Sequence, residues 1–294
     1  MIGEVICING KFVEKENAVV SVLDHGFIYG DGVFEGIAIV GKAVFKLDPH
    51  IDRLYRSAKY LEIDPHRCPE EIREMALETA RCNGVVDGYL RIVLTRGAGP
   101  VGIRNMDQLG PSTVVMIAQH EDRAKRADIY QSGQSAIMSS VRRVPSEAID
   151  AKAKTCNYVN NILAYLEARS AGAKSAILLD TKGFVAECYA ANIFAVSNNR
   201  VVTPRLGAIL NGITRQTVLR LCGELGIDHA ETDLTPHDLY CADEVFESGS
   251  LAELKPINRI ADRIIGSGKP GPITRRLHGA LRELMESGKE SVRY

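Results

Sequence analysis

Three short segments of this sequence carry the residue types that one cofactor chemistry requires. Lys154 lies in the run AKAKTCNY, Glu187 begins the run ECYAAN, and Gly212 lies in the run LNGITR. A lysine amine forms imines, a carboxylate keeps a ring nitrogen protonated, and the amides at a helix start bind phosphate. Together these groups predict a site for pyridoxal 5'-phosphate.

Lys154 is the candidate for covalent attachment of the cofactor. It precedes a predicted helix, Tyr158–Ala171, whose apolar positions are expected to face the core: Val159, Ile162, Leu163 and Leu166. A lysine amine is nucleophilic only where burial or nearby positive charge lowers its pKa. Lys152 is the competing candidate, and for either residue the ordinary alternative is a solvated surface lysine.

Glu187 is the candidate acid. It follows a predicted strand, 183–186, and precedes small residues, so its carboxylate can reach inward without crowding. An acid beside the pyridine nitrogen keeps the ring protonated, and the protonated ring withdraws electrons from the substrate Cα. The alternative is an ordinary glutamate in water at the end of a strand.

Two segments are candidate phosphate sites. Gly212, Ile213 and Thr214 begin a predicted amphipathic helix, where free amides and the positive end of the dipole favour an anion. The small-residue turn 248–252 (SGSLA) offers hydroxyls and amides after a predicted strand. Most helix starts and turns bind no phosphate, so neither segment is specific by itself.

A glycine pattern at 97–102 (GAGPVG) matches the dinucleotide-binding fingerprint and supports a competing hypothesis, a dinucleotide-dependent oxidoreductase. That fingerprint requires a helix directly after the glycines, within a strand-helix-strand unit. Here Pro100 and the run that ends at Pro111 are typical of a loop. The motif is therefore interpreted as a coincidence.

The elements that must position these residues fall into two predicted α+β domains, since 294 residues are long for a single core. We place an N-terminal domain at 1–118, a charged linker at 119–131 and a C-terminal domain carrying Lys154 at 132–294. The first is expected to open with a hairpin closed at Asn9–Gly10. Further helices are predicted at 48–61, started by Asp48 and Pro49, at 70–82 and at 214–225. Strands are predicted at 89–95, 113–118, 135–141, 176–179 and 193–196.

Composition excludes several function classes. A formal net charge of -1 argues against nucleic acid as a partner, and no apolar run approaches the length of a membrane span. The seven cysteines form no Cys-x-x-Cys pair, so neither a metal site nor a disulfide framework is predicted. The N-terminus lacks the pattern of a signal peptide, and a cytoplasmic protein is expected.

The sequence resembles the class IV (fold type IV) pyridoxal phosphate aminotransferases, most closely the branched-chain amino acid aminotransferases, from about Ile8 to Ile257. The resemblance is carried by five ordered blocks: YGDGVFEG from Tyr29, KTCNY from Lys154, Glu187 with NIF from Asn192, GITR from Gly212 and EVFESGS from Glu244. It implies an α+β fold of the D-amino acid aminotransferase type. Such a fold has a smaller N-terminal α/β domain and a larger C-terminal domain with a β-barrel-like core.

The resemblance also implies roles around the cofactor. Lys154 would hold it covalently, Tyr158 would bond its phenolic oxygen, Glu187 would pair with the pyridine nitrogen and Leu210 would pack on the ring. The phosphate would be bound by Arg53, Gly212, Ile213, Thr214, Gly249 and Ser250.

On the substrate side the resemblance implies an apolar pocket lined by Phe34 and Gly36, with Tyr29 contributed from a partner subunit. Tyr89 and Arg91 match a pair that contacts carboxylates, and Arg91 is the one associated with the distal carboxylate of glutamate. The substrate carboxylate would be bound by Ser250 and the amide of Leu251.

Two positions depart from the branched-chain pattern. Ala38 stands where an arginine usually follows Phe-Glu-Gly-Ile, and a tyrosine usual at the domain connection has no counterpart in 119–127 unless Tyr130 substitutes for it. These departures weaken the glutamate-binding half of the assignment. They leave room for a D-amino acid or (R)-amine transaminase, and less so for an aminodeoxychorismate lyase.

The resulting hypothesis is a homodimeric or larger enzyme, with its site between domains, that transfers amino groups from branched-chain L-amino acids to 2-oxoglutarate by a ping-pong mechanism. Its expected partners are small amino and 2-oxo acids. Outside the family, a non-catalytic protein that binds small molecules remains the other alternative.

Overall fold

The structure, a computed structural model, describes residues 1–122 and 127–294. Its strands are β1 (Ile2–Ile8), β2 (Lys11–Glu14), β3 (Gly32–Val40), β4 (Ala43–Phe45), β5 (Gly88–Thr95), β6 (Thr113–His120), β7 (Gln134–Arg142), β8 (Ser175–Leu179), β9 (Val185–Cys188), β10 (Asn192–Ser197), β11 (Arg200–Pro204), β12 (His229–Thr232), β13 (Glu244–Gly249), β14 (Glu253–Ile260), β15 (Arg263–Ile264) and β16 (Ser291–Arg293).

The α-helices of these residues are α1 (His25–Tyr29), α2 (Leu47–Tyr60), α3 (Pro69–Cys82), α4 (Ala127–Ser132), α5 (Val159–Ser170), α6 (Ile213–Glu224), α7 (Pro236–Tyr240) and α8 (Pro272–Ser287). Short 3₁₀ helices cover Lys15–Asn17 and Ile103–Gln108.

The chain divides into two compact units. The first contains Met1–Asp122, Ala153–Asn157 and Met285–Tyr294, and the second contains Arg123–Lys152 and Tyr158–Leu284. Two pieces that the sequence analysis assigned to the C-terminal domain thus belong to the first unit, because backbone hydrogen bonds join them to strands there. The domain limits 1–118 and 132–294 stay a prediction. Within the predicted linker, β6 extends to His120, α4 begins at Ala127, and 123–126 lie outside the described residues.

The first unit is built on a seven-stranded sheet in the order β16-β4-β3-β5-β6-β1-β2. Asn9 and Gly10, with φ of 53° and 84°, close the β1–β2 hairpin as a type I′ turn requires, which confirms the predicted hairpin. All nine residues of β3 are buried. The helices α2 and α3 contribute Leu54 and Ala76 to the core on this sheet.

The second unit is built on a nine-stranded sheet in the order β12-β11-β10-β13-β14-β7-β8-β9, with β15 beside β14. The sheet curls into a half-barrel, as the fold prediction required. An isolated bridge between Cys188 and Ala191 connects the end of β9 with the chain just before β10. The core includes Phe194 and Phe246, whose rings stack with centroids 4.9 Å apart.

The burial predicted for α5 was wrong. Its apolar residues are exposed, at 67% for Val159, 52% for Ile162, 48% for Leu163 and 39% for Leu166. The buried face instead presents Asn161, Ala164 and Ala168, and the two alanines pack against Ala176 and Leu178 of the sheet. Small side chains let a helix backbone approach a sheet closely, so the apolar stripe points the other way.

Several predicted boundaries also change. The helix predicted to start at Asp48 begins at Leu47 after Lys46, whose φ of 51° is left-handed, so Asp48 lies in the first turn rather than at the cap. Glu187 lies inside β9 and not after a strand. The glycines at 97–102 lead into a 3₁₀ helix and then into β6, which is antiparallel to β5, so no dinucleotide-binding unit forms.

Among the described residues, no helix combines the length and the apolar character that crossing a bilayer demands. Within the same residues no cluster of metal-ligating side chains occurs. All seven cysteines are free thiols.

Candidate active site

Lys154 is fixed in the first unit by its backbone. The Lys154 carbonyl accepts the Phe34 N–H at 3.0 Å, the Lys154 N–H donates to Ser57 Oγ at 3.0 Å, and Thr155 forms a bridge with Val33. The segment therefore lies against β3 like a short extra strand. The Lys154 ammonium is 4.3 Å from the centroid of the Phe34 ring.

Lys152, the competing lysine, has different surroundings. It is exposed, and its ammonium is 3.2 Å from the carboxylate of Asp150. Lys152 is thus a solvated lysine in an exposed ion pair, whereas Lys154 is half-buried against β3.

A buried charged cluster occupies the first unit near Lys154. Arg53 on α2 donates from both Nε and Nη2 to Glu35 on β3, at 2.7 Å each, and His50 Nδ1 lies 2.7 Å from the same carboxylate. Glu35 and His50 are 0% and 1% exposed. A two-pronged Arg–carboxylate pair fixes the guanidinium plane. Glu35 therefore orients Arg53, the predicted phosphate ligand.

The charge states in this cluster follow from burial and pairing. Burial raises the pKa of Glu35, but the hydrogen bonds and charge of Arg53 outweigh it and bring the value down to about 2. Burial lowers the pKa of His50, the Glu35 contact opposes this, and the charges of Arg53 and Lys154 add to the lowering. His50 is therefore neutral and donates its Nδ1 proton to ionised Glu35.

The predicted substrate residues of the first unit cluster on β3 and β5. Arg91 pairs in register with Gly36, its guanidinium carbon is 3.8 Å from the Phe34 ring centroid, and Nη1 donates to Tyr89 Oη at 3.3 Å. A Cβ on Gly36 would lie 2.0 Å from Tyr89 Oη. The absence of a side chain at Gly36 thus makes room for the Tyr89 ring.

Tyr29, predicted to serve a partner subunit, is 37% exposed at the end of α1. Its hydroxyl accepts the Gly102 N–H at 2.9 Å, and its ring packs edge-on against the His25 ring.

Glu187 anchors the predicted cofactor residues of the second unit. It is 5% exposed, and its carboxylate accepts hydrogen bonds from Arg143 Nε at 2.8 Å, from the Leu210 N–H at 3.0 Å and from Asn192 Nδ2 at 3.3 Å. Asn192 also donates to the Leu210 carbonyl at 2.8 Å. Three donors stabilise the ionised carboxylate and fix its direction.

The start of α6 is adjacent to this carboxylate. Gly212 is the N-cap, with no capping side chain, and its ideal Cβ would lie 2.1 Å from Asn192 Oδ1. Within the part of the chain that the structure describes, no group accepts the amides of Ile213 and Thr214. Both residues are buried. This helix start offers donors to an anion.

The predicted turn residues Gly249, Ser250 and Leu251 lie where β13 passes into β14. Ser248 pairs in register with Asn192, so this turn begins beside the residue that contacts both Gly212 and Glu187. Ser248 is 1% exposed, and its Oγ has no partner among the described residues. Its hydroxyl is a further polar group for a bound anion.

The remaining predicted residues of the second unit are Tyr158 and Leu210. Tyr158 is half-buried and caps α5, where its carbonyl accepts the Ile162 N–H. Leu210 is half-buried, and its backbone is held by Glu187 at the N–H and by Asn192 at the carbonyl. The structure thus groups the predicted residues into two clusters, one in each unit, and their roles stay proposals.

Sequence reasoning missed four residues that hold predicted site residues: Arg143, Asn192, Glu35 and His50. Glu35 and Asn192 lie inside the quoted blocks, but strand alternation gives no sign of them because β3 and β10 are buried on both faces. Arg143 follows β7, 44 positions from Glu187. Only the tertiary fold brings it to the carboxylate.

The model of the family "Amino-transferase class IV" matches residues 32–260. The chain belongs to the class IV aminotransferases. The resemblance inferred from the sequence blocks is thereby confirmed. This class IV aminotransferase is 44% identical over 280 residues to the "Putative branched-chain-amino-acid aminotransferase" of Methanocaldococcus jannaschii, covering 95% of this chain and 96% of that relative.

Solved structures agree. A T.th. branched-chain amino acid aminotransferase with pyridoxamine 5'-phosphate superposes with a TM-score of 0.95 at 35% identity, covering 99% of this chain and 98% of that one. A second structure of that enzyme, complexed with N-(5'-phosphopyridoxyl)-L-glutamate, gives a TM-score of 0.92 at 36% identity with the same coverage. The likeness therefore spans nearly the whole class IV aminotransferase chain.

Replacing Glu35 by glutamine should destabilise the protein in a pH-dependent way. The folded pKa of Glu35, about 2, lies below its ordinary value of 4.5, so its ionised form stabilises the fold. This contribution, on the order of 3 kcal/mol, is full above about pH 4.5 and is lost as the pH falls toward 2. Urea unfolding of both proteins at several pH values measures it.

Glu74→Gln is the matched control, because Glu74 is an exposed residue of α3 and little change is expected. A Glu35→Gln deficit that stays constant from pH 7 to pH 3 would contradict the assigned ionisation.

Gly36→Ala should lower the free energy of unfolding by about 1–3 kcal/mol, because the new methyl group overlaps the Tyr89 hydroxyl. Tyr89→Ser removes the overlapping ring, so the double variant should lose less than the sum of the single losses. Gly279→Ala, where a Cβ meets nothing within 4 Å, is the control. Additive losses in the thermal or urea unfolding cycle would show that Tyr89 does not fill this space.

Proposed function

We propose that this protein is a pyridoxal phosphate-dependent transaminase that moves the amino group of branched-chain L-amino acids to 2-oxoglutarate by a ping-pong mechanism. The observation that carries the proposal is the setting of Glu187. A buried carboxylate held ionised by Arg143, Asn192 and a backbone amide suits one task, pairing with a protonated ring nitrogen.

The residues present fit this cofactor. The second unit offers an anionic partner for a pyridinium, uncapped helix-start amides at Ile213 and Thr214, and the buried Ser248 hydroxyl for a phosphate. Gly212 leaves space where a side chain would collide with Asn192. The first unit offers an amine at Lys154 and an oriented guanidinium at Arg53.

In this proposal the cofactor residues keep the roles given by the resemblance. Lys154 binds the cofactor covalently, Tyr158 bonds its phenolic oxygen and Leu210 covers its ring. The phosphate takes donors from Arg53, from the α6 amides, and from Gly249 and Ser250. Glu35 holds the Arg53 guanidinium in place for this contact.

When bound, pyridoxal phosphate accepts the electron pair left at Cα after the proton departs. Lys154 would take that proton from the substrate Cα as a general base and would deliver it as a general acid to the cofactor carbon on the other side of the shared nitrogen. Glu187 stays ionised throughout because Arg143 stabilises its negative charge. His50 is neutral in this cluster, because burial lowers its pKa, and its role is to donate a hydrogen bond to Glu35.

The two substrates share one set of side chains. Phe34 and Gly36 line the pocket that accepts an apolar branched side chain, and Tyr89 and Arg91 bind the distal carboxylate of glutamate and 2-oxoglutarate. Arg91 over the Phe34 ring places a cation beside an apolar surface, which suits both substrates in turn. The amide of Leu251 and the hydroxyl of Ser250 bind the carboxylate common to all of them.

A homodimer is part of the proposal, with Tyr29 serving the partner's pocket. Exposed apolar residues next to Tyr29 support it: Val22, Phe27, Val101 and Ile103 are 71%, 75%, 61% and 64% exposed. A hydrogen bond from Gly102 to Tyr29 and a bridge between Asp24 and Ala98 join these two segments into one surface. Exposed apolar side chains grouped in this way are typical of an association surface, and sedimentation equilibrium measures the association.

A donor panel tests the function. Purified protein should be yellow, and its visible band should shift when L-leucine, L-isoleucine or L-valine is added, with glutamate formed from 2-oxoglutarate. Stronger turnover of D-leucine, D-alanine or an aromatic (R)-amine would favour the alternative, a D-amino acid or (R)-amine transaminase. Ala38, in the place of the usual arginine, is the feature that keeps this alternative open.

Lys154→Ala should abolish turnover, with a loss of at least about 10⁴-fold, because the nucleophile and proton carrier are removed together. The fold should persist, since Lys154 is only half-buried. Lys152→Ala, which removes an exposed lysine, should retain activity. Borohydride reduction of the wild-type protein followed by peptide mass spectrometry identifies the modified lysine, and a label on Lys152 would contradict the assignment.

Glu187→Gln should lower kcat by about 10²-fold or more, about 3 kcal/mol, while cofactor binding persists through the phosphate contacts. Glutamine keeps the shape but not the charge that holds the ring nitrogen protonated. Stopped-flow measurement of the half-reaction with L-leucine gives the rate. Glu224→Gln, an exposed position on α6, is the control, and an unaltered rate in Glu187→Gln would remove its assigned role.

A further inference from the structure

The turn between β13 and β14 is fixed from outside the hairpin. Gly249 and Glu253 form the last pair of the ladder, so Ser250, Leu251 and Ala252 make a three-residue turn. Under the proposed function this turn presents the hydroxyl and the amide that bind the substrate carboxylate. Its shape therefore matters to substrate binding.

Glu253 adopts a strained backbone conformation. Its φ is +52°, in the left-handed region, which costs a residue other than glycine energy unless its surroundings enforce it. The residue is 5% exposed, and its side chain points into the protein. A buried carboxylate with this backbone conformation requires hydrogen-bond donors from the surrounding structure.

The carboxylate of Glu253 is held by α8. His278 Nε2 lies 2.8 Å from Glu253 Oε2, and since a carboxylate can only accept, His278 Nε2 carries the proton. Arg282 Nε is at the longer distance of 4.0 Å. His278 therefore makes the shorter of these two contacts with the buried carboxylate.

Tyr130 on α4 completes the support. Its ring lies on the His278 ring, with centroids 4.3 Å apart and planes inclined by 35°. Its hydroxyl donates to the Ala252 carbonyl at 3.1 Å. The two residues at the end of the turn, Ala252 and Glu253, are thus both tied to this aromatic pair.

We propose that His278 and Glu253, with Tyr130, are positioning residues for the carboxylate subsite of the active site. They touch no substrate in this scheme. They hold Ala252 and Glu253 so that the amide of Leu251, the residue before Ala252, points in a fixed direction. The inference rests on the proposed function of this turn, and it assigns specificity for a carboxylate to contacts from α4 and α8.

The mechanism predicts a selective defect. Without the His278 donor, a buried carboxylate loses its short hydrogen bond, and Glu253 can relax out of the left-handed region toward solvent. The Leu251 amide would move with it. Binding of a substrate carboxylate should weaken, whereas the cofactor keeps its phosphate contacts on α6 and its covalent link.

Two substitutions separate the hydrogen bond from the ring. His278→Phe keeps a ring against Tyr130 and removes the donor, and His278→Gln keeps an N–H donor and removes the ring. The holoenzyme is titrated with 4-methylvaleric acid, a branched carboxylate without an amine, while the visible band is followed. We expect the Kd of His278→Phe to rise about 10-fold, and that of His278→Gln to rise less than about 3-fold.

Steady-state kinetics provide the second measurement. In His278→Phe the KM for L-leucine should rise about 10-fold with kcat changed less than about 3-fold. The affinity of the apoprotein for pyridoxal 5'-phosphate should stay within about 3-fold of wild type, because Arg53 and the α6 amides lie outside this turn and only Gly249 and Ser250 lie in it. His237→Phe is the matched control, because the His237 side chain is 81% exposed on α7.

Tyr130→Phe removes only the hydroxyl that bonds to Ala252, and Glu253→Gln removes only the charge. Both variants should raise the Kd for 4-methylvaleric acid, and their values test the positioning role if His278→Phe does not fold. Wild-type Kd and KM in the folded variants, or equal losses in His278→Phe and His278→Gln, would overturn the inference. An inactive wild-type protein would instead contradict the proposed function.

Discussion

A buried carboxylate must be paired with a positive charge or several donors, and this requirement organises both units of the protein. Glu35 and Glu187 are each at most 5% exposed, and each is paired with one arginine, Arg53 and Arg143 respectively. Leaving either carboxylate unpaired in the interior would cost several kcal/mol. Each arginine is therefore held as rigidly as its carboxylate, and that rigidity is what a site for a charged cofactor requires.

The two pairs differ in which member, the arginine or the glutamate, contacts the cofactor in the proposed mechanism. Glu35 accepts hydrogen bonds from both Arg53 and His50, so its role is to orient the arginine. In the proposed mechanism it is this arginine that binds the phosphate. In the proposed mechanism Glu187 itself pairs with the ring nitrogen. Its carboxylate is held by the side chain of Arg143 after β7, by the side chain of Asn192 at the start of β10 and by the Leu210 amide. One unit thus presents a cation held by an anion, and the other presents an anion held by a cation.

The sequence predicts this arrangement unevenly. The Asn9–Gly10 turn, the four predicted helices and most strand cores follow from local signals, and they are confirmed to within a few residues because turn chemistry and periodicity are short-range. The five sequence blocks identify the family. Arg143 and His50 carry no local signal, because an arginine or histidine next to a strand or on a helix is usually solvated. Their function depends on partners 44 and 15 positions away, which only the fold brings near.

The helix after Lys154 shows why a correct element can carry a wrong orientation. Its residues at 159, 162, 163 and 166 form a regular apolar stripe, and periodicity alone assigns such a stripe to the core. The opposite face carries Ala164 and Ala168, both 0% exposed, and alanines permit the closest approach to the sheet. Packing density favours the small face when the space available is narrow. Periodicity reports that one face is apolar, but it does not report which face packs on the sheet, and in this helix that face carries the alanines.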